Sequence, residues 1–279
     1  MSIPNFTLKD DRKIKTSLFA SDFGKLGFDV YHSLLNTPHS NPAKWNESLK
    51  WGAGKGVELQ MVKVLKDSGI VAPDWNQNDE PTLVMERFGV PIRMKIDAIT
   101  ADDFRAHSLS VGAPIEIKSI NNKNFWDMRE YANGNPRANY VGQLAVYMDY
   151  LGVGLGYLFV ASVDGLSYFW IPCRKKNDGI YECGNTVVNI HDEYKRWAKI
   201  MEAVKNGVPP DPFEAGRYKI PLSDLDLNKI SAKDLTALKL GRLVLGDPDS
   251  WKIRYSPYKK LIIEAQKAEI GYSEKETIL

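Results

Sequence analysis

Between Leu144 and Val163 only Asp149 carries a charge, and no other stretch restricts the possible folds as much. A run of that length invites comparison with a membrane span. Gly152, Gly154 and Gly156 interrupt it in the middle. The interruption predicts a helix, roughly 138–151, ending at glycine and handing over to a buried strand, "LGYLFVAS". Upstream, residues 52–69 read as a helix with Val57, Met61, Val64 and Leu65 on one face. "TLVMERFG" and "PIRMKIDAI" alternate as strands joined tightly around Gly89 and Pro91, and "APIEIKSI" is a third strand. The order helix, strand, strand, strand, helix, strand predicts an α/β core with a mixed sheet flanked by helices.

The flanks are less regular. Residues 17–36 read as a helix and 36–47 as a loop, and the polar, Asn-rich stretch 121–139 reads as loop at least in part. A hairpin is expected from 166–173 with 180–190, turning at "KKNDG", then an amphipathic helix over 191–206 that Gly207 ends. From 211 the chain is polar and broken by prolines, with helical patches near 231–240 and 256–270. The expected organisation is a core with an N-terminal helical flank over 1–210, and a C-terminal helical flank over 211–279 that packs on it without forming an independent domain.

A net charge of +2 in 279 residues does not announce a nucleic-acid or membrane partner, so any basic surface must be local. Cys173 and Cys183 are the only cysteines. They suit a reducing compartment, either as two free thiols or as a pair across the hairpin. The first residues lack an apolar signal core, so no secretory signal is read and a cytoplasmic chain is expected. "GAGKGVE" lacks the spacing of a phosphate-binding loop, "GVGLG" does not open a helix after a strand, and the four histidines are scattered.

The chemistry lies in the third strand. Side chains alternate along a strand, so Ile115 and Ile117 face one way and Glu116 and Lys118 the other. Alone, that pair reads as a solvated strand face with a weak ion pair. Asp97, at the end of the preceding strand, and Glu58, in the helix before it, change the reading. If those strands are neighbours, two or three carboxylates converge at one sheet edge and repel each other unless a cation lies between them. Mg²⁺ prefers such oxygen ligands, and Mn²⁺ substitutes for it. A metal so held activates water and neutralises charge on a phosphodiester. Lys118 is placed to position that water or to stabilise the developing charge.

Asp97 with Glu116-Ile117-Lys118, in this element order, resembles the PD-(D/E)XK nuclease superfamily, although Ile96 stands where the name has proline. "GQLAVYMDY" places Gln143 and Tyr147 one turn apart on the following helix, similar to the Q-x-x-x-Y signature of RecB-like nucleases. In "GKGVELQ", Glu58 occupies the position where many members have histidine and others glutamate. The resemblance covers residues 50–165 and implies a restriction-endonuclease-like core. It implies that Glu58, Asp97, Glu116 and the Ile117 carbonyl hold the metal, that Lys118 assists the water, and that Gln143 and Tyr147 line the site. From its neighbours alone, Tyr147 also reads as a core tyrosine with a satisfied hydroxyl.

The segment "WKIRYSPYKKLI" resembles the W-x-C-x-Y-C-P-Y stretch of iron–sulfur RecB-type and CRISPR-associated nucleases, with Ile253 and Ser256 at the cysteine positions. "ASDFGKLGFDVYHSLL" is similar to the region supplying the first cysteine, and it too has none. Such a cluster needs about four thiolates. The expectation is therefore no iron–sulfur cluster, with Trp251, Tyr255 and Tyr258 as candidates to replace it by packing. The alternative is a plain surface helix start.

After the third strand, Lys123, Arg129 and Arg137 are interleaved with Phe125, Trp126 and Tyr131, a composition that suits phosphates and unpaired bases. An ordinary loop with anchoring aromatics has the same composition. Lys55, Arg93 and Lys95 extend a possible basic rim. The expected function is a Mg²⁺-dependent deoxyribonuclease, by preference an exonuclease on single-stranded or duplex DNA ends, with no membrane partner. An endonuclease on single-stranded or branched DNA is the alternative within the class, and a non-catalytic nucleic-acid-binding module the alternative outside it. A homo-oligomer or a separate recombination or replication partner is left open.

Overall fold

The computed structural model describes residues 14–40, 45–73, 75, 82–101, 112–129, 136–163, 167–215, 232, 236 and 250–269. The chain divides into two compact units. The larger comprises residues 16–25 and 44–199, and the smaller takes residues 26–43 and those from 200 onward.

The larger unit has the expected α/β class and a mixed sheet flanked by helices. Strands β4 (Ala98–Ile99), β5 (Pro114–Ile120), β6 (Leu155–Ser162), β7 (Tyr168–Asn177), β8 (Ile180–Cys183) and β9 (Thr186–Asn189) form one sheet in that order. Only β5 and β6 run parallel, with Glu116 opposite Leu158 and Lys118 opposite Val160. On one face lies α2 (Trp45–Asp67), whose Met61, Val62 and Leu65 pack with Ile115, Ile117, Tyr157, Phe159 and Ala161. Against the other face lies α4 (Ala138–Leu151), in contact with β5, β6, β8 and β9. Residues 144–163 thus supply the end of α4 and all of β6. Gly152 closes the helix in the left-handed conformation, at φ 67°. Among the described residues no helix is long and apolar enough to cross a membrane.

Several expectations are corrected. Instead of a helix from residue 17, the larger unit opens with the two-residue β1 (Leu18–Phe19) and a short 3-10 turn (Ala20–Asp22), and the helix α1 covers only Gly27–Leu34. "PIRMKIDAI" is not one strand. The strands β2 (Leu83–Arg87) and β3 (Val90–Met94) make the expected hairpin, but they belong to a separate three-stranded sheet with β1. Its turn, Phe88-Gly89, has positive φ at both residues, 53° and 74°, the geometry that matches strand twist in a two-residue hairpin. The chain then leaves that sheet at Lys95 and enters the larger one at Ala98. Ile96 and Ala98 are both buried, and the chain changes partner between them, from β2 for Val90–Met94 to β5 for Ala98–Ile99. The second hairpin is a three-strand meander, because Gly184 at φ 56° supplies a further turn between β8 and β9. Cys173 and Cys183 are opposed across β7 and β8, both buried and unbridged. The stretch after β5 begins as helix α3 (Asn122–Arg129). The last helix of this unit is the start of α5 (Ile190–Asn206), with Tyr194 and Trp197 in the core.

In the smaller unit, α1 packs with the C-terminal helices α6 (Ser250–Tyr255) and α7 (Lys259–Glu269). Leu26, Phe28, Ile253, Tyr258 and Ile262 share one core. Ile253 is fully buried, and the Ser256 hydroxyl donates to Asp29 of α1 at 2.5 Å. These are the two positions at which the sequence resemblance would place cysteines. Of the three aromatics expected to replace a cluster, Tyr258 is buried, Tyr255 is 68% exposed and takes no part in the core, and the Trp251 side chain lies outside the described residues. The expected helical patch at 231–240 also lies mostly outside them.

Two outcomes test this packing. A Cβ on Gly142 of α4 would lie 2.1 Å from the Phe23 ring, whereas one on Gly56 of α2 meets nothing within 4 Å. Gly142→Ala should therefore lower stability by about 1–3 kcal/mol, while Gly56→Ala raises it by about 0.5–1 kcal/mol. Thermal melts of the pair in opposite directions are the expected result. In the smaller unit, His32 packs among Phe28, Tyr31 and Tyr258, and burial pushes its pKa down to about 4. A histidine depressed below its ordinary 6.5 contributes stability above that value and loses it as pH falls toward 4. The difference in melting temperature between wild type and His32→Phe should shift steadily against the wild type across that interval.

Candidate active site

The site is assembled where the chain changes sheets. Asp97 is nearly buried, and its Oδ2 accepts the Ile117 amide hydrogen at 2.8 Å. Its own carbonyl accepts from the Trp75 indole N–H at 3.1 Å. These two bonds fix both the side chain and the backbone of Asp97 against β5. Glu116 lies one residue before that contact, on the α4 side of the sheet, with 0% exposure. The Lys118 ammonium makes an ion pair with Glu116 Oε1, yet neither Glu116 oxygen has a regular hydrogen bond.

The lysine is held from a second side. Lys118 Nζ donates to Gln143 Oε1 at 3.2 Å, and Gln143 Nε2 donates to the Tyr147 hydroxyl at 2.6 Å. The chemistry sets the direction of this chain. An ammonium only donates, so the glutamine must present its oxygen to Lys118 and its NH₂ to Tyr147. The tyrosine oxygen then accepts from Gln143, and its own hydrogen is left for Glu116, which it faces closely enough to affect. Lys118, Gln143, Tyr147 and Glu116 thus surround one another, two on β5 and two on successive turns of α4.

Burial pushes the Asp97 carboxyl well above the usual range, and the charges of Glu116 and Glu58 push it further, against the Ile117 amide and Lys118. Glu116 is also raised by burial, with Lys118 opposing. Burial pulls the Lys118 ammonium down, but the Glu116 charge, its hydrogen bond and Asp97 outweigh this and hold the lysine above its ordinary value. Burial, together with the Glu116 and Asp97 charges, keeps Tyr147 protonated. The arrangement is a buried carboxylate pair that resists ionising together, beside a lysine that stays charged.

Each candidate residue can now be placed. Asp97, Glu116, Ile117, Lys118, Gln143 and Tyr147 come together. Glu58, half-buried on α2, acts on both carboxyls through its charge. Among the described residues no three His, Cys, Asp or Glu side chains form a ready-made metal cage. The oxygen set nonetheless suits a hard divalent cation, because buried Glu116 oxygens without regular hydrogen bonds are the donors such an ion takes.

The basic and aromatic stretch divides. Phe125 is fully buried against Phe169, so the expectation that it stacks on a base is withdrawn. Trp126 is 42% exposed, with the Arg129 guanidinium 5.1 Å from its ring. Arg137 is exposed and 5.8 Å from the ring of Tyr140, whose ring is 5.4 Å from Lys118 Nζ. Lys123 is in α3, but its side chain lies outside the described residues, as does Tyr131. Sequence reasoning missed Tyr140 and Trp75. Tyr140 was within reach, since it stands three residues before Gln143 and seven before Tyr147, on the same helical face. Trp75 sits in an irregular segment and gave no signal.

A carboxyl raised above its ordinary pKa stabilises the fold while protonated, and that contribution is lost as pH rises through the raised value. At neutral pH the Asp97 and Glu116 pair therefore costs stability. Asp97→Asn keeps an oxygen for the Ile117 amide and removes one charge. In chelator near neutrality it should melt higher than wild type, by on the order of 1 kcal/mol, with the gap closing in acid. Added Mg²⁺ should raise the wild-type melting temperature and leave the variant's nearly unchanged.

No family profile matches the chain, and no curated protein matches it. Solved structures similar to it include the following two. The crystal structure of SSO0001 is 18% identical, with 73% of this chain and 83% of that one covered and a TM-score of 0.38. An alkaline exonuclease, LHK-Exo from Laribacter hongkongensis, is 13% identical, with 70% and 90% covered and a TM-score of 0.41.

Proposed function

We propose that this chain is a metal-dependent nuclease that hydrolyses phosphodiester bonds in DNA, acting as an exonuclease on DNA ends. The observation that carries the reading is the buried Asp97 and Glu116 pair set against a charged Lys118 that Gln143 holds in place. A purely structural core has no use for two carboxylates that oppose each other's ionisation.

Asp97, Glu116, Glu58 and the Ile117 carbonyl would hold Mg²⁺ or Mn²⁺. Bound there, the ion supplies a lowered pKa for water and neutralisation of phosphate charge. The side chains do the rest. Lys118, kept protonated, is a donor and not a base. It orients the attacking water through its N–H groups and meets the negative charge that grows on the phosphate. Gln143 keeps the ammonium aimed, and Tyr147 keeps Gln143 from turning over. The bond from the Ile117 amide fixes one Asp97 oxygen and so orients the carboxylate. Trp126, Arg129 and Arg137 provide ring and guanidinium surfaces for the DNA beside the site.

The test is Mg²⁺-dependent digestion of end-labelled linear, closed circular and single-stranded DNA. Linear DNA should be shortened from its ends and circles left intact. Lys118→Ala should lose about 10²–10³-fold in rate, and Gln143→Ala less, because it acts through the lysine. Absence of cleavage on every substrate, or full activity in Lys118→Ala, would reject the reading. Cutting of closed circles would instead make it an endonuclease.

A further inference from the structure

One face of β7 has no role in the site. Register places Tyr168 opposite Ala161 and Trp170 opposite Phe159, on the side of the sheet that α2 covers. The helix covers β5 and β6 there but leaves β7 open, so Tyr168 is 56% and Trp170 44% exposed. Further along the same strand, Arg174 and Lys176 are exposed as well. Lys176 is 3.3 Å from Glu182, whereas Arg174 has no ion pair among the described residues. Alternate residues of a strand recur roughly every 6.6–6.8 Å. The stripe therefore presents two aromatic rings one strand repeat apart, then Pro172, then Arg174, with Lys176 in the bulge that follows.

The aromatic end is built, not incidental. Trp170 stacks beside Phe159, with centroids 6.4 Å apart and planes 22° from parallel, and stands edge-on to Tyr157 at 5.5 Å. Two neighbouring rings thus fix its orientation, and 44% of the residue stays exposed. Between this ring, Tyr168 and the α2 residues Met61, Val64 and Leu65 lies a groove of about 420 Å³, within the range of ligand clefts. Phe159 lies between Ile117 and Trp170 in one row of the sheet, so Trp170 is two strands, about 10 Å, from β5, on the face opposite to that of Glu116 and Lys118.

We infer that this stripe is a track for single-stranded nucleic acid, with Tyr168 and Trp170 stacking on unpaired bases and Arg174 and Lys176 holding the adjoining phosphates. The charge decides the occupant. The stripe's cations outnumber its one acid, Glu182, and they adjoin two exposed rings, so the surface suits a partner that carries both negative charge and open flat faces, as an unpaired strand does. A duplex hides its base faces and offers nothing to the rings, so the track selects unpaired strand. The choice of nucleic acid rests on the nuclease reading above, and the experiment separates the two.

Binding of labelled oligothymidine to the full-length protein is measured by anisotropy in chelator, where nothing is hydrolysed. Trp170→Ala should weaken binding roughly tenfold, the size of one base stacked on a ring, while Trp170→Phe keeps affinity within about threefold. Arg174→Ala should weaken it and flatten the dependence of log affinity on log salt by roughly 0.7. Binding of blunt duplex should be the same in all three. Affinities for oligothymidine within about twofold of wild type in both alanine variants, or no binding by wild type, would overturn the track. So would a wild-type dimer in sedimentation that Trp170→Ala splits, since a second copy would then be the occupant. Binding lost in Trp170→Ala by a protein that never hydrolyses DNA leaves the track standing and removes the nuclease. Hydrolysis abolished by Lys118→Ala, with binding indifferent to Trp170, does the reverse.

Discussion

The 2.8 Å hydrogen bond from the Ile117 amide to Asp97 Oδ2 is the contact on which the arrangement of the site depends. It forms where the chain has left one sheet at Met94 and has not yet joined the other at Ala98. Without it, Asp97 would sit in a short linker with no reason to face β5. With it, a carboxylate is fixed one residue from Glu116, in surroundings that strongly disfavour a second negative charge. Trp75 anchors the same residue through its carbonyl, so the kink is held at both the side chain and the backbone.

Opposition between charge and burial runs through the rest of the site. Glu116 occupies the middle of a strand whose other face is packed by α2. A lone carboxylate there would be expensive, and Lys118 compensates only in part. The glutamine and tyrosine of α4 complete the surroundings, each oriented by the donor rule that begins at the ammonium. A site of this kind gives up fold stability in order to keep its carboxylates poised, which is the usual relation between stability and activity. The smaller unit shows the opposite economy. Ile253 fills its core, and a neutral hydroxyl, Ser256, donates to the one carboxylate beside it, Asp29.

Much of the site was legible in the sequence because short-range periodicity carries it. Glu116 and Lys118 two apart in a strand, and Gln143 and Tyr147 four apart in a helix, must share a face whatever the surroundings. The almost wholly buried β6 followed from the same logic, as did the end of α4 at Gly152. The misreadings came where periodicity is blind to partners. "PIRMKIDAI" alternates well enough to pass for one strand, and only the change of partner, from β2 to β5, shows otherwise. Phe125 sits among polar residues and looked available, yet Phe169 arrives from a strand more than forty residues later and closes over it.

The sequence by itself determined the α/β order, the pairing of an acid with a base on β5, and the helix that answers them, because all three are local patterns repeated over several residues. The tertiary structure alone decided that Asp97 turns toward Ile117, that the strands before it form a second sheet, and that Tyr140 and Trp75 adjoin the site. It also decided which aromatics are core and which are surface: Phe125 is covered, while Trp126, Tyr168 and Trp170 are not. Those outcomes depend on which distant element packs against a given face, and no local pattern encodes the identity of that element.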